Sequence, residues 1–202
     1  MKKIDNIEKV LQIADEGLLM GSPVCSTELL QSVIKTALEH YKTEPSILRN
    51  EIFQVTGELP KLVNPVRRIE GEPSLLEWIE IRREMKPVLL SRFVGHWPAM
   101  AKWNLRYLWS VLRGRTVPVE EGSKYTDVDW GQRLVPFNDF IQSLQADPNA
   151  STVKQYLAQH PLLEQVPSLQ DDIIIPDYCF TDSSDEPELN AWIGPAGRAQ
   201  QV

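Results

Sequence analysis

Two amphipathic helices are predicted at the start of the chain, because apolar residues recur there every three or four positions. A turn at Gly21-Ser22-Pro23 separates them, and Thr43-Glu44-Pro45 ends the second. Each helix has one apolar face, so the two are expected to pack as a hairpin or small bundle. The apolar positions are Ile7, Val10, Leu11, Ala14 and Leu18 in the first helix, and Leu29, Leu30, Val33, Ile34, Ala37, Leu38 and Tyr41 in the second.

A polar stretch with several prolines follows this N-terminal helical region, which we place at residues 1–60. It predicts a linker over residues 61–73. Ser74-Leu75-Leu76-Glu77 then fits a capping box, in which the serine hydroxyl and the glutamate carboxylate each accept from the other's backbone amide. The sequence therefore predicts a third helix that begins after Ser74 and ends before Pro87.

From Pro87 onward the pattern changes to short apolar runs between short helices. Asn104 predicts the N-cap of a helix that Gly114 ends. Residues 115–120 are rich in strand formers, and Pro118 among them predicts a sheet edge or a bulge. The fold class predicted from this succession is α+β. The remaining predicted elements are strands at residues 88–90, 173–176 and 189–193 and a helix bearing Phe137, Phe140, Ile141 and Leu144.

Composition and charge exclude several classes of function. The 28 acidic residues outnumber the 21 basic ones, which argues against nucleic-acid binding through a dominant phosphate contact. Cys25 and Cys179 are far apart and neither is in a CxxC pair, so neither a structural zinc site nor a disulfide framework is expected. No apolar run approaches the roughly 18 residues of a membrane span, and we expect a nuclear or cytoplasmic protein.

The three histidines of the chain have no spacing that would bring two imidazoles to one metal. His40 lies on the second predicted helix, and His96 precedes Trp97-Pro98 in a predicted turn. His160 is expected to belong to a hydrogen-bond network. We therefore interpret all three as structural and predict no metal ligand and no catalytic residue among them.

Seven short motifs carry a resemblance to a known family. Each motif is weak alone, but their order over more than a hundred residues is specific. The motifs are Pro87-Val88-Leu89-Leu90, Gly95-His96-Trp97-Pro98-Ala99-Met100 with Trp103, Arg115-Thr116-Val117-Pro118-Val119-Glu120, Gly122-Ser123-Lys124-Tyr125-Thr126-Asp127, Tyr156-Leu157-Ala158-Gln159-His160, Ile175-Pro176-Asp177-Tyr178-Cys179 and Asn190-Ala191-Trp192. This part of the chain resembles the jumonji-C oxygenases of the cupin superfamily. The resemblance implies a double-stranded β-helix that holds Fe(II) and 2-oxoglutarate.

The resemblance also implies roles for four residues. Tyr156 would donate its phenol to a carboxylate of 2-oxoglutarate. Glu120, Tyr125 and Trp192 would line a pocket for a basic substrate side chain, a carboxylate between aromatic rings being a suitable receptor for a guanidinium. The alternatives stay open: the two aromatic residues can be ordinary packing residues, and Glu120 a solvated strand end.

In the family, a His-x-Asp pair that binds iron follows a Gly-Pro-x-Gly turn, which corresponds here to residues 194–197. No His-x-Asp or His-x-Glu occurs in the 202 residues. The resemblance therefore implies a partial jumonji-C domain at residues 74–197 with an incomplete barrel, a divergent tail at 198–202, and a truncated chain that binds neither Fe(II) nor 2-oxoglutarate productively.

Two hypotheses follow from these expectations. The first is a catalytically incompetent form of a protein oxygenase of the arginine-hydroxylase or histone lysine-demethylase type. The second is a non-catalytic interaction or competitor isoform that acts through the N-terminal helices. In both cases the expected partner is a protein, and neither nucleic acid nor a membrane is expected.

Overall fold

The computed structural model describes residues 2–21, 26–41, 65–122, 128, 130–145, 155–181 and 186–195. These residues form seven α-helices, six strands and two 3₁₀ helices. The helices are α1 (Lys2–Leu19), α2 (Thr27–His40), α3 (Leu75–Arg83), α4 (Pro98–Lys102), α5 (Leu105–Leu112), α6 (Phe137–Leu144) and α7 (Leu162–Gln165). The strands are β1 (Arg67–Glu70), β2 (Val88–Ser91), β3 (Thr116–Glu121), β4 (Gly131–Pro136), β5 (Gln155–His160) and β6 (Ala191–Ile193). The 3₁₀ helices are Pro167–Asp172 and Asp177–Phe180.

The chain divides into two compact units that alternate along the sequence. The first unit draws on Met1–Val55, Asn104–Ser168 and Leu189–Val202, and the second on Thr56–Trp103 and Leu169–Glu188. The predicted domain limits of residues 60, 73 and 197 do not coincide with these segments and stay a prediction.

The first unit is built on a four-stranded antiparallel sheet with the order β4-β3-β5-β6. Among the described strands this sheet has two open edges and does not close into a barrel, so the prediction of a mixed helix-and-strand fold with no closed barrel is confirmed. Pro118 pairs with Leu134 of β4, while β5 pairs with β3 only at Glu120 and Glu121. The proline therefore lies where β3 has one described neighbour, as its missing N–H requires.

The two faces of this sheet have different neighbours, because side chains alternate along a strand. The back face carries Val117, Val119, Val135 and Leu157, all buried. Helix α6 contacts β3, β4 and β5, and its buried Phe137, Phe140 and Ile141 complete this core. The front face carries Pro118, Glu120, Leu134, Tyr156 and Trp192, by the same alternation and the strand register.

Helices α1 and α2 form the predicted hairpin, and α1 also contacts β3. Leu11, Ala14, Ile34 and Tyr41 make the buried centre of the hairpin. Ser26 caps α2 by accepting from the Leu29 amide. The N-terminal helices are thus part of the same unit as the sheet, which the sequence did not reveal.

The second unit contains the parallel pair β1 and β2 with helices α3 and α4. The capping box at Ser74 and Glu77 is confirmed by a reciprocal pair of hydrogen bonds. Tyr178 packs its ring near those of Trp78 and Phe93, and its hydroxyl donates to the Pro73 carbonyl. These contacts connect the start of α3 to the 3₁₀ helix that carries Tyr178.

One predicted strand is wrong. Residues 173–176 are irregular and connect the two 3₁₀ helices. Their apolar run lies between Pro167, which begins the first 3₁₀ helix, and Pro176, which precedes the second. Only four residues separate the two 3₁₀ helices, and Pro176, the last of them, has no N–H to donate to a sheet. The other predicted elements of the second half, helices at 105–112 and 137–144 and strands at 88–91, 116–121 and 191–193, are confirmed with small changes of limits.

Candidate functional site

The front face of the sheet brings together three of the four residues singled out from the sequence. Glu120 of β3 and Tyr156 of β5 are direct antiparallel partners. Directly opposed residues project from the same face, with Cβ atoms about 4.5–5.5 Å apart. Trp192 of β6 precedes Ile193, which pairs with the fully buried Leu157 of the back face. Trp192 therefore projects from the front face, on the same side as Glu120 and Tyr156. Tyr125 lies outside the described residues.

Tyr156 lies directly against the backbone of Gly194. A Cβ built on Gly194 would be 2.1 Å from Tyr156 Cδ2 and 2.2 Å from Cε2, which is far inside van der Waals contact. Only glycine lets the phenol ring cover this position. The Gly-Pro turn after β6 therefore fixes how closely the ring can approach the end of that strand.

The two glutamates of β3 lie on opposite faces and differ in whether a basic side chain pairs with them. Glu121 of the back face is matched, because its Oε1 accepts from Arg133 Nη2 at 2.5 Å and from Gln155 Nε2 at 2.8 Å. Glu120 has no basic side chain within ion-pair distance among the described residues. Trp192 lies on the same face two strands away, on β6, and is 52% exposed. An unmatched carboxylate, a phenol and an accessible indole can receive an ammonium or guanidinium by charge-assisted hydrogen bonds and cation–π contact.

A buried polar network attaches α1 to the beginning of β3. Asp15 is 0% exposed and Arg115 is 2% exposed. The Arg115 guanidinium donates to the Asp15 carboxylate from Nη2 at 2.6 Å and from Nε at 2.9 and 3.0 Å. The Thr116 amide donates to the same carboxylate at 2.8 Å. These bonds join residues a hundred positions apart.

Gln165 completes the network, and its hydrogen bonds fix the protonation of His160. Its Nε2 donates to Asp15 Oδ1 at 3.0 Å and to the Thr116 carbonyl at 2.7 Å. Its Oε1 is therefore an acceptor, and the 2.7 Å contact with His160 Nε2 is a bond that the imidazole donates. Burial lowers the pKa of His160, against weaker opposing effects of the Gln165 hydrogen bond and the charges of Asp15 and Glu164. The ring is neutral near pH 7, with its proton on Nε2.

A bulge in β5 makes this arrangement possible. Leu157 and His160 are both buried although they are three residues apart, a spacing that would place them on opposite faces of a regular strand. The register between β5 and β6 shifts between these two residues, and Gln159 has a φ of 46°. The extra residue turns the imidazole inward toward Gln165. The hydrogen-bond network predicted for His160 is confirmed.

The sequence carries a signal for this network in the position of Asp15, which was not among the predicted site residues. Asp15 follows Ala14 on the face of α1 that otherwise presents Leu11 and Leu18 to the interior. A carboxylate on an apolar helical face is rare unless it is paired. That pattern identifies Asp15 as a buried acceptor, although it does not identify Arg115 as its partner. His96 lies in the turn that was predicted for it, and His40 is the last residue of α2.

The described residues do not fit the iron centre that the resemblance implies. No group of three His, Cys, Asp or Glu side chains in the described part of the chain could hold a metal ion. They also do not form a complete site for 2-oxoglutarate. Tyr156 offers one neutral donor, and its front-face neighbours Glu120 and Trp192 bring no positive charge to a dianion. No step through either group is derived from these residues.

Comparisons with known proteins agree with the motifs. Residues 73–201 match the model of the cupin-like domain family. The chain is 45% identical over 201 residues to Jumonji C domain-containing protein 5 of Drosophila melanogaster, covering 92% of this chain and 48% of that protein. It is 35% identical over 221 residues to lysine-specific demethylase JMJ30 of Arabidopsis thaliana, covering 94% and 51%. It is 50% identical over 114 residues to lysine-specific demethylase 8 of Xenopus tropicalis, covering 55% and 25%.

The chain thus spans about half the length of the curated relatives that it matches over most of its own length. Within the described residues, no helix is both long enough and apolar enough to cross a membrane.

Proposed function

The chain belongs to the jumonji-C proteins of the cupin-like family, and on that premise we propose that its front face recognises a basic side chain of a protein substrate. Proteins of this family generally depend on Fe(II) and 2-oxoglutarate. The reaction served would be oxygenation of that side chain, either arginine hydroxylation or lysine demethylation. The single observation that supports the proposal is that Glu120, which has no basic partner among the described residues, shares one sheet face with Tyr156 and Trp192.

Each of these residues has a distinct task in the proposal. The Glu120 carboxylate accepts hydrogen bonds from the substrate cation, and the Trp192 indole covers the cation's face. The Tyr156 phenol, held against Gly194, would by resemblance alone donate a directional hydrogen bond to a carboxylate of 2-oxoglutarate, in a site that the described residues do not complete. Tyr125 is proposed as a further wall of the substrate pocket by resemblance alone.

A pair of adjacent glutamates offers a matched test of substrate recognition. An arginine-containing peptide and a lysine-containing peptide would be titrated against the chain by calorimetry, with an alanine-containing peptide as the neutral control. Glu120→Gln should weaken binding of the basic peptides about 5- to 20-fold, the loss of about 1–2 kcal/mol that one charge-assisted bond contributes. Glu121→Gln removes the same charge from the back face and should change the affinity less than twofold.

Equal effects of the two substitutions would refute the front face as the recognition surface. Equal affinity for the basic and the alanine peptides would refute recognition of a basic side chain. Unfolding curves of both variants would be compared with that of the parent chain, so that a loss of folded protein is not counted as a loss of affinity.

We further propose that the 202-residue chain by itself does not turn over 2-oxoglutarate. Its sequence contains no His-x-Asp or His-x-Glu, the pair that the family uses to hold iron. The assay is release of CO₂ from labelled 2-oxoglutarate by the purified chain with Fe(II) and ascorbate. Release above the rate of Fe(II) alone, with or without a protein substrate, would overturn this proposal.

A second candidate function is protein interaction through the α1–α2 hairpin. Val10 of α1 and Leu29 and Val33 of α2 are 38–53% exposed although they belong to the amphipathic pattern, and Ile13 of α1, outside that pattern, is 57% exposed. Such a surface suits a protein partner or competition with a longer relative, and a nuclear or cytoplasmic location suits both candidates. The test is the binding of a full-length relative to the parent chain and to Ile13→Asp. Equal binding by both would exclude this surface.

A further inference from the structure

A cavity on the front face lies beside the candidate substrate surface and uses different residues. Its volume is about 430 Å³, within the size range of small-ligand sites. Strands β3 and β4 contribute Pro118, Gln132 and Leu134 to its wall. The other lining residues come from the end of α1, the start of α2 and the segment around α7, and they are Leu18, Leu19, Met20, Thr27, His160, Pro161, Glu164 and Gln165.

Part of the wall suits an aliphatic chain. Leu18, Leu134 and Pro118 are half-buried, and Pro161 adds a further apolar surface. These side chains come from α1, β3, β4 and the residue before α7. A stem of four or five methylene groups would be covered by them, much as proteins cover the stems of their own lysine side chains.

One buried polar group of the wall, the His160 imidazole, has a hydrogen-bond acceptor. His160 donates from Nε2 to Gln165, so the remaining ring nitrogen, Nδ1, is an acceptor. The Gln165 amide nitrogen is already committed to Asp15 and to the Thr116 carbonyl. The imidazole is 4% exposed, and burial keeps it neutral at pH 7.

The charge at the cavity is negative. Among the described lining residues Glu164 is the one charged side chain, and it is exposed on α7. Helix α1 ends at this wall after 18 residues and has no basic residue in its last turn. The carbonyl groups of that turn carry the negative end of the helix dipole, which attracts cations. The start of α2, near Thr27, is capped by Ser26 and followed by the carboxylate of Glu28.

We propose that this cavity binds an ammonium or guanidinium group carried on an aliphatic stem. The cationic head lies between Glu164, the His160 ring and the C-terminal turn of α1, and the stem lies on Leu18, Pro118 and Leu134. The proposal goes beyond the proposed function, because Glu120, Tyr156 and Trp192 are not among the residues that line the cavity. The source of the cation is either a small alkylamine or a second basic side chain of a bound peptide.

The test uses the full chain and n-pentylammonium chloride, with 1-pentanol as the neutral probe of equal stem length. Chemical shifts of the His160 imidazole and of the backbone amides of α7 report binding at this cavity. Pentylammonium should bind up to about fivefold more tightly than pentanol, as a charge pair near a protein surface contributes up to about 1 kcal/mol. The shift changes should be largest at His160 and Glu164.

Charge variants at two exposed glutamates provide the matched control. Glu164→Gln should weaken pentylammonium binding about two- to fivefold, and Glu164→Lys should weaken it further, to about tenfold or more. Glu39 is exposed on α2 and does not line the cavity, so Glu39→Gln and Glu39→Lys make the same charge changes elsewhere. These two should leave the affinity within about twofold of the parent chain.

Three results would overturn the proposal: equal affinity for pentylammonium and pentanol, shift changes remote from His160, or equal effects at Glu39 and Glu164. Titration with acetyl-Gly-Lys-Gly-amide then separates the two sources. Stronger binding of this peptide than of pentylammonium supports a peptide side chain, and weaker binding supports a small amine. Failure of the proposed function can be distinguished from failure of this proposal. The proposed function is tested by the binding of arginine and lysine peptides to Glu120→Gln, which does not depend on chemical-shift changes at His160.

Discussion

Asp15→Ala is predicted to destabilise the first unit more than the loss of a single hydrogen bond would. The Asp15 carboxylate accepts from the Arg115 guanidinium, the Thr116 amide and the Gln165 amide, all of them buried. The substitution leaves a guanidinium that is 2% exposed without its counter-charge. Removing one partner of a buried ion pair costs about 3–5 kcal/mol, because the remaining charge has lost both its water and its partner.

The measurement is urea unfolding followed by circular dichroism. If the urea dependence of the unfolding free energy is about 2 kcal/mol per molar, a loss of about 4 kcal/mol lowers the midpoint by about 2 M. Glu16→Ala is the matched control, since Glu16 is the next residue on α1 and its described hydrogen bond, from Gln12, is exposed. This control should cost at most about 0.5 kcal/mol.

A double replacement separates the cost of a buried unpaired charge from the cost of the lost hydrogen bonds. Asp15→Leu combined with Arg115→Met removes both charges and fills their space with apolar atoms. The double variant should be more stable than Asp15→Ala by about 2 kcal/mol or more, because no uncompensated charge stays buried. Two results would refute the interpretation that the network excludes water and that each charge depends on its partner. One is a cost below about 1 kcal/mol for Asp15→Ala, and the other is a double variant no more stable than Asp15→Ala.

Three further predictions concern single sites. Because burial lowers the pKa of His160, the folded chain binds fewer protons than the unfolded chain, and the free energy of unfolding should fall as pH drops below about 6.5. In urea titrations between pH 7.5 and 5.5, His160→Asn should flatten this pH dependence. An unchanged slope in the variant would contradict the prediction. Gly194→Ala should displace the Tyr156 ring and change the chemical shifts of its ring protons. Gly131→Ala, where an added Cβ meets nothing within 4 Å, should leave these shifts unchanged. Equal spectra for both variants would count against the contact between Tyr156 and Gly194. Ser74→Ala should cost about 1 kcal/mol in thermal or urea unfolding through loss of the capping box, and a change below about 0.3 kcal/mol would argue against it.

Local signals in the sequence predicted local structure well. The capping box at Ser74, the N-cap at Asn104 and the helix end at Gly114 all occur as predicted, and Gly114 has a positive φ. Each depends on side chains within a few residues of the backbone groups that they satisfy. The strand at 67–70 was missed for the opposite reason, because its pairing with β2 involves a segment about twenty residues further along.

The candidate site could be predicted only in part. The resemblance supplied Glu120, Tyr156 and Trp192, but their common face follows from the register of three strands, which no single-sequence pattern fixes. The bulge at Gln159 was also invisible, since a non-glycine residue with positive φ leaves no mark in the sequence. His160 could be assigned to a network, but not to Gln165 or, through it, to Asp15.

The sequence separation of Asp15 and Arg115 also affects the order in which the first unit can fold during synthesis. A ribosome that adds about 5–20 residues per second needs roughly 5–20 s to deliver Arg115 after Asp15 has been made. During that interval α1 and α2 can pair with each other, while the carboxylate stays hydrated on a face that will later be dry. The charge keeps that face of the new hairpin from being wholly apolar before the sheet arrives. A fragment that stops short of β3 would hold the hairpin in this early state, so it would present to any partner a surface that the folded unit conceals.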